Sequence, residues 1–94
     1  MAIVSDAHTL NGRPRLAGRR IWVAHVVAHV NEEGLEYCND FGVREEEVRE
    51  ALAYCMRQEC DDAISYCNGC RKSELCGKNF WEDARALYER FFTK

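Results

Sequence analysis

Asn11-Gly12-Arg13-Pro14-Arg15-Leu16-Ala17-Gly18-Arg19-Arg20-Ile21-Trp22-Val23 opens the stretch that decides the fold, and Val48-Arg49-Glu50-Ala51-Leu52-Ala53-Tyr54 closes it. Asn11-Gly12 should turn the chain, and Arg13 to Ala17 then reads as a short extended piece. Pro14 has no N–H to donate, so a strand there belongs at a sheet edge. Gly18 permits a second tight turn or bulge before Arg19 to Val23. The lead-in is therefore expected to be a short β-hairpin or extended arm. Residues 1–10 ahead of it form a polar lead with little pattern.

Working outward, Trp22 to Val30 fits a helix. At 100° per residue Trp22, Val23, Val26, Val27 and Val30 share an arc of about 140°, while Ala24 and Ala28 face away and His25 and His29 border it. Four valines make a strand the competing reading; the paired alanines and the Asn31-Glu32-Glu33 boundary favour helix. Asn31 is expected to cap a short following helix with Leu35 and Cys38 on one face, weakened at Gly34 by roughly 1 kcal/mol relative to Ala. Asp40-Phe41-Gly42 is the turn, and Val43 opens the next helix, whose buried stripe is Val48, Ala51, Leu52 and Cys55.

Continuing that helix would place Glu59 in the apolar stripe, so it should kink or end near Gln58 to Cys60. A short helix from Asp61 through Ala63, Ile64 and Cys67, a loop over residues 68–78, and a final helix to about Phe92 complete the chain. Asn79 is expected to cap the last helix with Glu82 three positions on, and Phe80, Ala84, Leu87, Tyr88 and Phe91 form its apolar side. The expected fold class is mainly α: a small helix-turn-helix-like helical bundle with a short N-terminal β-hairpin or extended arm. Ninety-four residues make one domain, 1–94, with 11–57 as core and 58–94 as Cys-rich loop and C-terminal helix.

Composition narrows the function classes. Hydrophobic residues at 47% and charged residues at 31% fit a globular chain rather than a disordered one. No apolar run approaches the roughly twenty residues that span a bilayer, and Met1-Ala2-Ile3-Val4-Ser5-Asp6 lacks the basic and hydrophobic regions of a secretory signal. A cytoplasmic location is the expectation. The net charge of −3 is unevenly spread. Residues 1–20 carry four Arg against one Asp, residues 32–62 eleven acids against three Arg, and residues 63–94 six bases against four acids. An acidic middle between basic ends suits self-association or a basic protein partner as well as DNA.

Six cysteines in a chain without an export signal point to buried thiols, metal ligands or redox groups. Their spacing is Cys55-x4-Cys60-x6-Cys67-x2-Cys70-x5-Cys76. Cys67-Asn68-Gly69-Cys70 has the length and the glycine of a metal knuckle, and Cys60, Cys67, Cys70 and Cys76 are the candidate metal ligands. If residues 60–67 were one continuous helix, Cys60 and Cys67 would stand about 10 Å apart along its axis, whereas two thiolates on one zinc, with Zn–S near 2.3 Å, stand about 4 Å apart. Both reach one ion only if the helix starts after Cys60 and the chain bends back; otherwise the fourth ligand is Cys38, Cys55 or a His. Cys38 and Cys55 read as core fillers. Zinc is the default metal, an iron–sulfur cluster the alternative, and a metal-free set of thiols the third outcome. His25 and His29, four apart on one helix, read as the border of an amphipathic face rather than as a metal site.

Gly12, Pro14, Leu16, Gly18, Arg20, Ile21 and Val23, followed by Val48, Ala51, Leu52 and Tyr54, resemble the recurring pattern of the bacterial and archaeal domain of unknown function 433. The resemblance covers Leu10 to about Tyr54, and Arg19 stands where many relatives have Thr. It implies a homeodomain-like helix-turn-helix, in some relatives similar to VapB-type antitoxins that pair with a nuclease toxin, and function as a dimeric antitoxin or small transcriptional regulator.

The exposed start of the second helix of a helix-turn-helix reads DNA, and here that start is Arg44-Glu45-Glu46-Glu47, whose acids repel phosphate. Nucleic-acid or partner binding is therefore expected at Arg13, Arg15, Arg19 and Arg20, with pairing to the acidic middle of a second subunit weighed above phosphate contact. No phosphate loop, nucleophile elbow or zinc-protease motif is present, so a non-enzymatic regulator is expected. It would act through a homodimer and a protein partner such as a toxin, with DNA as the weaker partner class. A metal-binding, redox-responsive module that uses the helices as scaffold is the alternative.

Overall fold

Ile3–Val4 (β1) and Arg15–Leu16 (β2) pair antiparallel, with Ile3 opposite Leu16 and Val4 opposite Arg15. The computed structural model describes residues 3–5, 12–63, 66, 67, 70 and 79–93. The polar lead thus contains a strand that sequence reading passes over: two residues are too few to show alternation, and their partner lies far along the chain. The expected turn after β2 is present. Arg19 N–H donates to the Leu16 carbonyl at 3.0 Å across Gly18, whose φ of +77° is the left-handed conformation glycine adopts without strain. Arg15 then bridges to Trp22, and Val23 N–H donates to the Pro14 carbonyl at 3.0 Å, tying this hairpin to the first helix.

Val23–Glu33 (α1) runs three residues past the expected end. Asn31 does not cap a new helix; the stop is Gly34, at φ +66°, and a 3-10 turn over Gly34–Glu36 leads directly into Tyr37–Phe41 (α2). Asn31 lies in the helix without breaking it, and only a left-handed residue ends the hydrogen-bond ladder. Gly42, at φ +65°, closes α2, and Glu45–Met56 (α3) follows. A short helix, a turn and a longer helix therefore succeed one another in the expected order.

The helix expected from Asp61 is replaced by a 3-10 turn over Glu59–Asp62. Gln58 is left-handed at φ +56° and Ala63 is extended, so the chain changes direction twice between Cys55 and Cys67. Phe80–Phe92 (α4) matches the expected last helix. Asn79 is its N-cap residue as expected, but its side chain does not cap the backbone: Asn79 Nδ2 donates to Glu82 Oε2 at 3.2 Å, and Asn79 Oδ1 is buried without a hydrogen-bond partner.

α4 packs on α3 and α1, and the three interlock through the predicted stripes. Val23, Val26, Val27 and Val30 of α1, Val48, Ala51 and Leu52 of α3, and Phe80, Ala84 and Leu87 of α4 are buried. Each of the Val, Leu and Phe side chains contributes about 1.5–3 kcal/mol by leaving water, and the alanines less. Two buried residues break the helical pattern. Ala24, expected to face away, is buried, and Tyr37 has no exposed surface. Leu16 and Pro14, also buried, close the core from the hairpin side.

Candidate functional site

The four lead-in arginines do different work. Arg19 Nε donates to Glu47 Oε2 at 2.8 Å and its Nη2 to Glu47 Oε1 at 3.1 Å and to the Gly42 carbonyl at 2.9 Å. Arg15 Nη1 donates to the Leu16 and Arg19 carbonyls at 3.3 and 3.2 Å. The Arg13 guanidinium lies 5.0 Å from the centre of the Trp22 ring. Arg20 is exposed.

Glu47 corrects the view of Glu45-Glu46-Glu47 as a solvated helix start. Glu45 and Glu46 are exposed, but the Glu47 side chain is only 9% exposed. It accepts from the Arg44 backbone N–H at 3.2 Å as well as from Arg19. The Arg19 guanidinium, with help from Arg44, holds its carboxyl down to about 2 against the cost of burial. The acidic middle therefore meets an arginine of the arm within one chain.

The cysteines supply the second constellation. Cys55, Cys60, Cys67 and Cys70 line one cavity, with Val23, Tyr54, Tyr66, Phe80 and Trp81. Cys67 and Cys70 are buried, Cys55 and Cys60 half-buried. Three of the four predicted ligands, Cys60, Cys67 and Cys70, are thus gathered, because the Gln58–Ala63 bend replaces the helix that would have separated them. Cys76 lies outside the described residues. Cys55, read as a core filler and as one alternative fourth ligand, stands beside the other three. Cys38 lies on α2, away from the cavity lining.

Local geometry organises this cavity. Cys70 N–H donates to the Cys67 carbonyl at 3.2 Å, which holds the two residues together. The backbone N–H of Ala24, in the first turn of α1, favours the Cys67 thiolate. Burial pushes the Cys67 thiol up to about 11, opposed by that N–H and raised further by Cys60 and Cys70. Burial, then the neighbouring thiols, pushes Cys55 up further still. Both are neutral thiols near pH 7, which makes neither an activated nucleophile. Among the described residues no three His, Cys, Asp or Glu side chains are arranged to hold a metal ion as they stand.

His25 and His29 pack ring against ring, 4.1 Å between centroids, beside Tyr37 and the exposed Phe41. His25 Nδ1 is 3.1 Å from the Tyr37 hydroxyl. Burial, and then the neighbouring His29, lowers the His25 pKa.

The profile of the protein family of unknown function DUF433 matches residues 3–55. The chain belongs to the DUF433 family. The DUF433 region begins at β1, ahead of the motif that suggested it, and ends at Cys55, so Cys60, Cys67, Cys70 and α4 lie beyond it. No curated protein and no solved structure matches the chain. No helix among the described residues is long and apolar enough to cross a membrane.

Proposed function

We propose that this DUF433 chain is a small non-enzymatic regulator, antitoxin-like or transcriptional, that works by self-association and by binding a protein partner rather than by gripping DNA. One observation carries the preference: the arm and the acidic helix start are joined by Arg19 and Glu47. Arg19 is spent inside the fold, Arg15 bonds the hairpin carbonyls, and Arg13 covers Trp22. Glu45, Glu46 and Glu50 remain exposed along α3 and outnumber the exposed Arg44 and Arg49 beside them, a balance that favours a basic protein over phosphate.

Light scattering at micromolar concentration, followed by affinity capture from the source cell's extract, tests this reading. A dimer that retains a defined, salt-sensitive protein partner supports it. A monomer that captures nothing, or a sequence-dependent complex with its own promoter DNA in a gel shift, contradicts it. A metal-responsive module is the second reading, favoured by the four thiols around one cavity.

A further inference from the structure

We propose that Cys55, Cys60, Cys67 and Cys70 are the ligands of a single Zn2+ ion seated in the cavity they line at the start of α1. The inference does not depend on the partner-binding role.

The lining selects the metal. Four cysteines line an otherwise apolar and aromatic wall, and no carboxylate lines it among the described residues. Thiolates in such surroundings suit zinc and disfavour hard cations such as magnesium or calcium.

The backbone presents the ligands in two pairs. Cys55, on the last turn of α3, and Cys60, in the following 3-10 turn, flank the left-handed Gln58. Cys67 and Cys70 close the second pair through the 3.2 Å backbone bond. Both spacings, x4 and x2, fall within the ligand spacing of structural zinc sites. The sulfurs do not converge as placed. A tetrahedral site therefore requires the cysteine side chains to change among the three staggered positions about Cα–Cβ.

Binding is written as four thiols plus Zn2+ giving a zinc tetrathiolate of net charge −2, with four protons released to solvent. No oxidant or reductant is consumed. Arg13, whose charge already acts on Cys67, offsets part of the added negative charge.

The test is a cobalt titration of the full chain, purified reduced and without oxygen, followed by zinc competition. The expected result is thiolate-to-cobalt charge-transfer absorption with tetrahedral d–d bands, saturating at one cobalt per chain and bleached by zinc. C38S should keep the full signal. C55S and C70S should each lose charge-transfer intensity per cobalt and weaken affinity roughly 10–100-fold or more. Absence of a saturable signal from the wild-type chain overturns the proposal without recourse to any variant. An unchanged signal in C55S, with loss in C76S, overturns the ligand set.

Discussion

Arg19 and Glu47, 28 positions apart in sequence, meet through two hydrogen bonds of 2.8 and 3.1 Å that bind the hairpin to the first turn of α3. Arg19 also reaches the Gly42 carbonyl, so the same guanidinium spans the turn between α2 and α3. Neither residue looks structural in sequence. The arginine belongs to a basic run and the glutamate to an acidic one.

Removing the carboxylate should therefore destabilise the fold. E47Q is expected to cost about 2 kcal/mol near pH 7, in the range of charge-assisted bonds to a mostly buried group. The pH dependence has a definite sign. The folded carboxyl sits at about 2, below the unfolded value of about 4.3. Its stabilisation is fully present above that unfolded value and is lost as pH falls through the folded one. Urea titrations of wild type and E47Q should differ most near neutrality and converge toward pH 2; a gap independent of pH would contradict the pairing.

Gly42 offers a test of backbone conformation alone. Its φ is +65°, and a Cβ built there meets nothing within 4 Å. G42A should thus lose about 1–2 kcal/mol from left-handed strain without any clash, and G42N should lose less, because Asn tolerates that region. Thermal melts of the two variants decide it: equal losses would mean that the strain account is wrong.

Much of the fold was legible because it rests on repetition. The valines of α1, the Val48-Ala51-Leu52 stripe and the aromatic face of α4 each recur at helical spacing, and burial follows. What escaped depends on contacts distant in sequence or on a single dihedral. β1 is two residues long and is defined only by its partner. Asn31 looked like a boundary, but Gly34 ends the helix. The candidate site divides the same way. The Cys67-x-x-Cys70 knuckle is visible in the spacing, whereas the place of Cys55 beside it depends on the bend at Gln58 and Ala63.

His25 should titrate below the ordinary histidine range, since burial and then His29 disfavour its cation. The consequence for stability follows from linkage. An unfolded chain binds a proton at His25 near pH 6.5, before the folded chain does. This group therefore weakens the fold as pH falls from the unfolded value toward the lowered folded one, and contributes no pH dependence above it. An NMR titration of the His25 ring protons checks the direction; a midpoint above that of an unstructured histidine would contradict the packed arrangement with His29, Tyr37 and Phe41.

DNA affinity should be weak and unspecific. With Arg19 held by Glu47 and Glu45, Glu46 and Glu50 exposed beside Arg44 and Arg49 on α3, that face offers phosphate little net attraction. The slope of log K against log salt should stay shallower than about −2, at roughly −0.9 per phosphate contact. Fluorescence anisotropy with promoter and scrambled duplexes measures it. A steep slope with preference for the promoter would return the arm to DNA recognition.

The thiol cavity is the most exposed part of the account, and zinc content together with thiol counting tests it most directly. The chain should be purified reduced, without oxygen or affinity-tag metal, and assayed before and after chelation. One zinc per chain is expected, with four of the six cysteines reacting only once the chelator has removed it and Cys38 and Cys76 reacting throughout. Zinc-free protein whose thiol reactivity is unchanged by the chelator would contradict it, and would leave the cavity as packing alone.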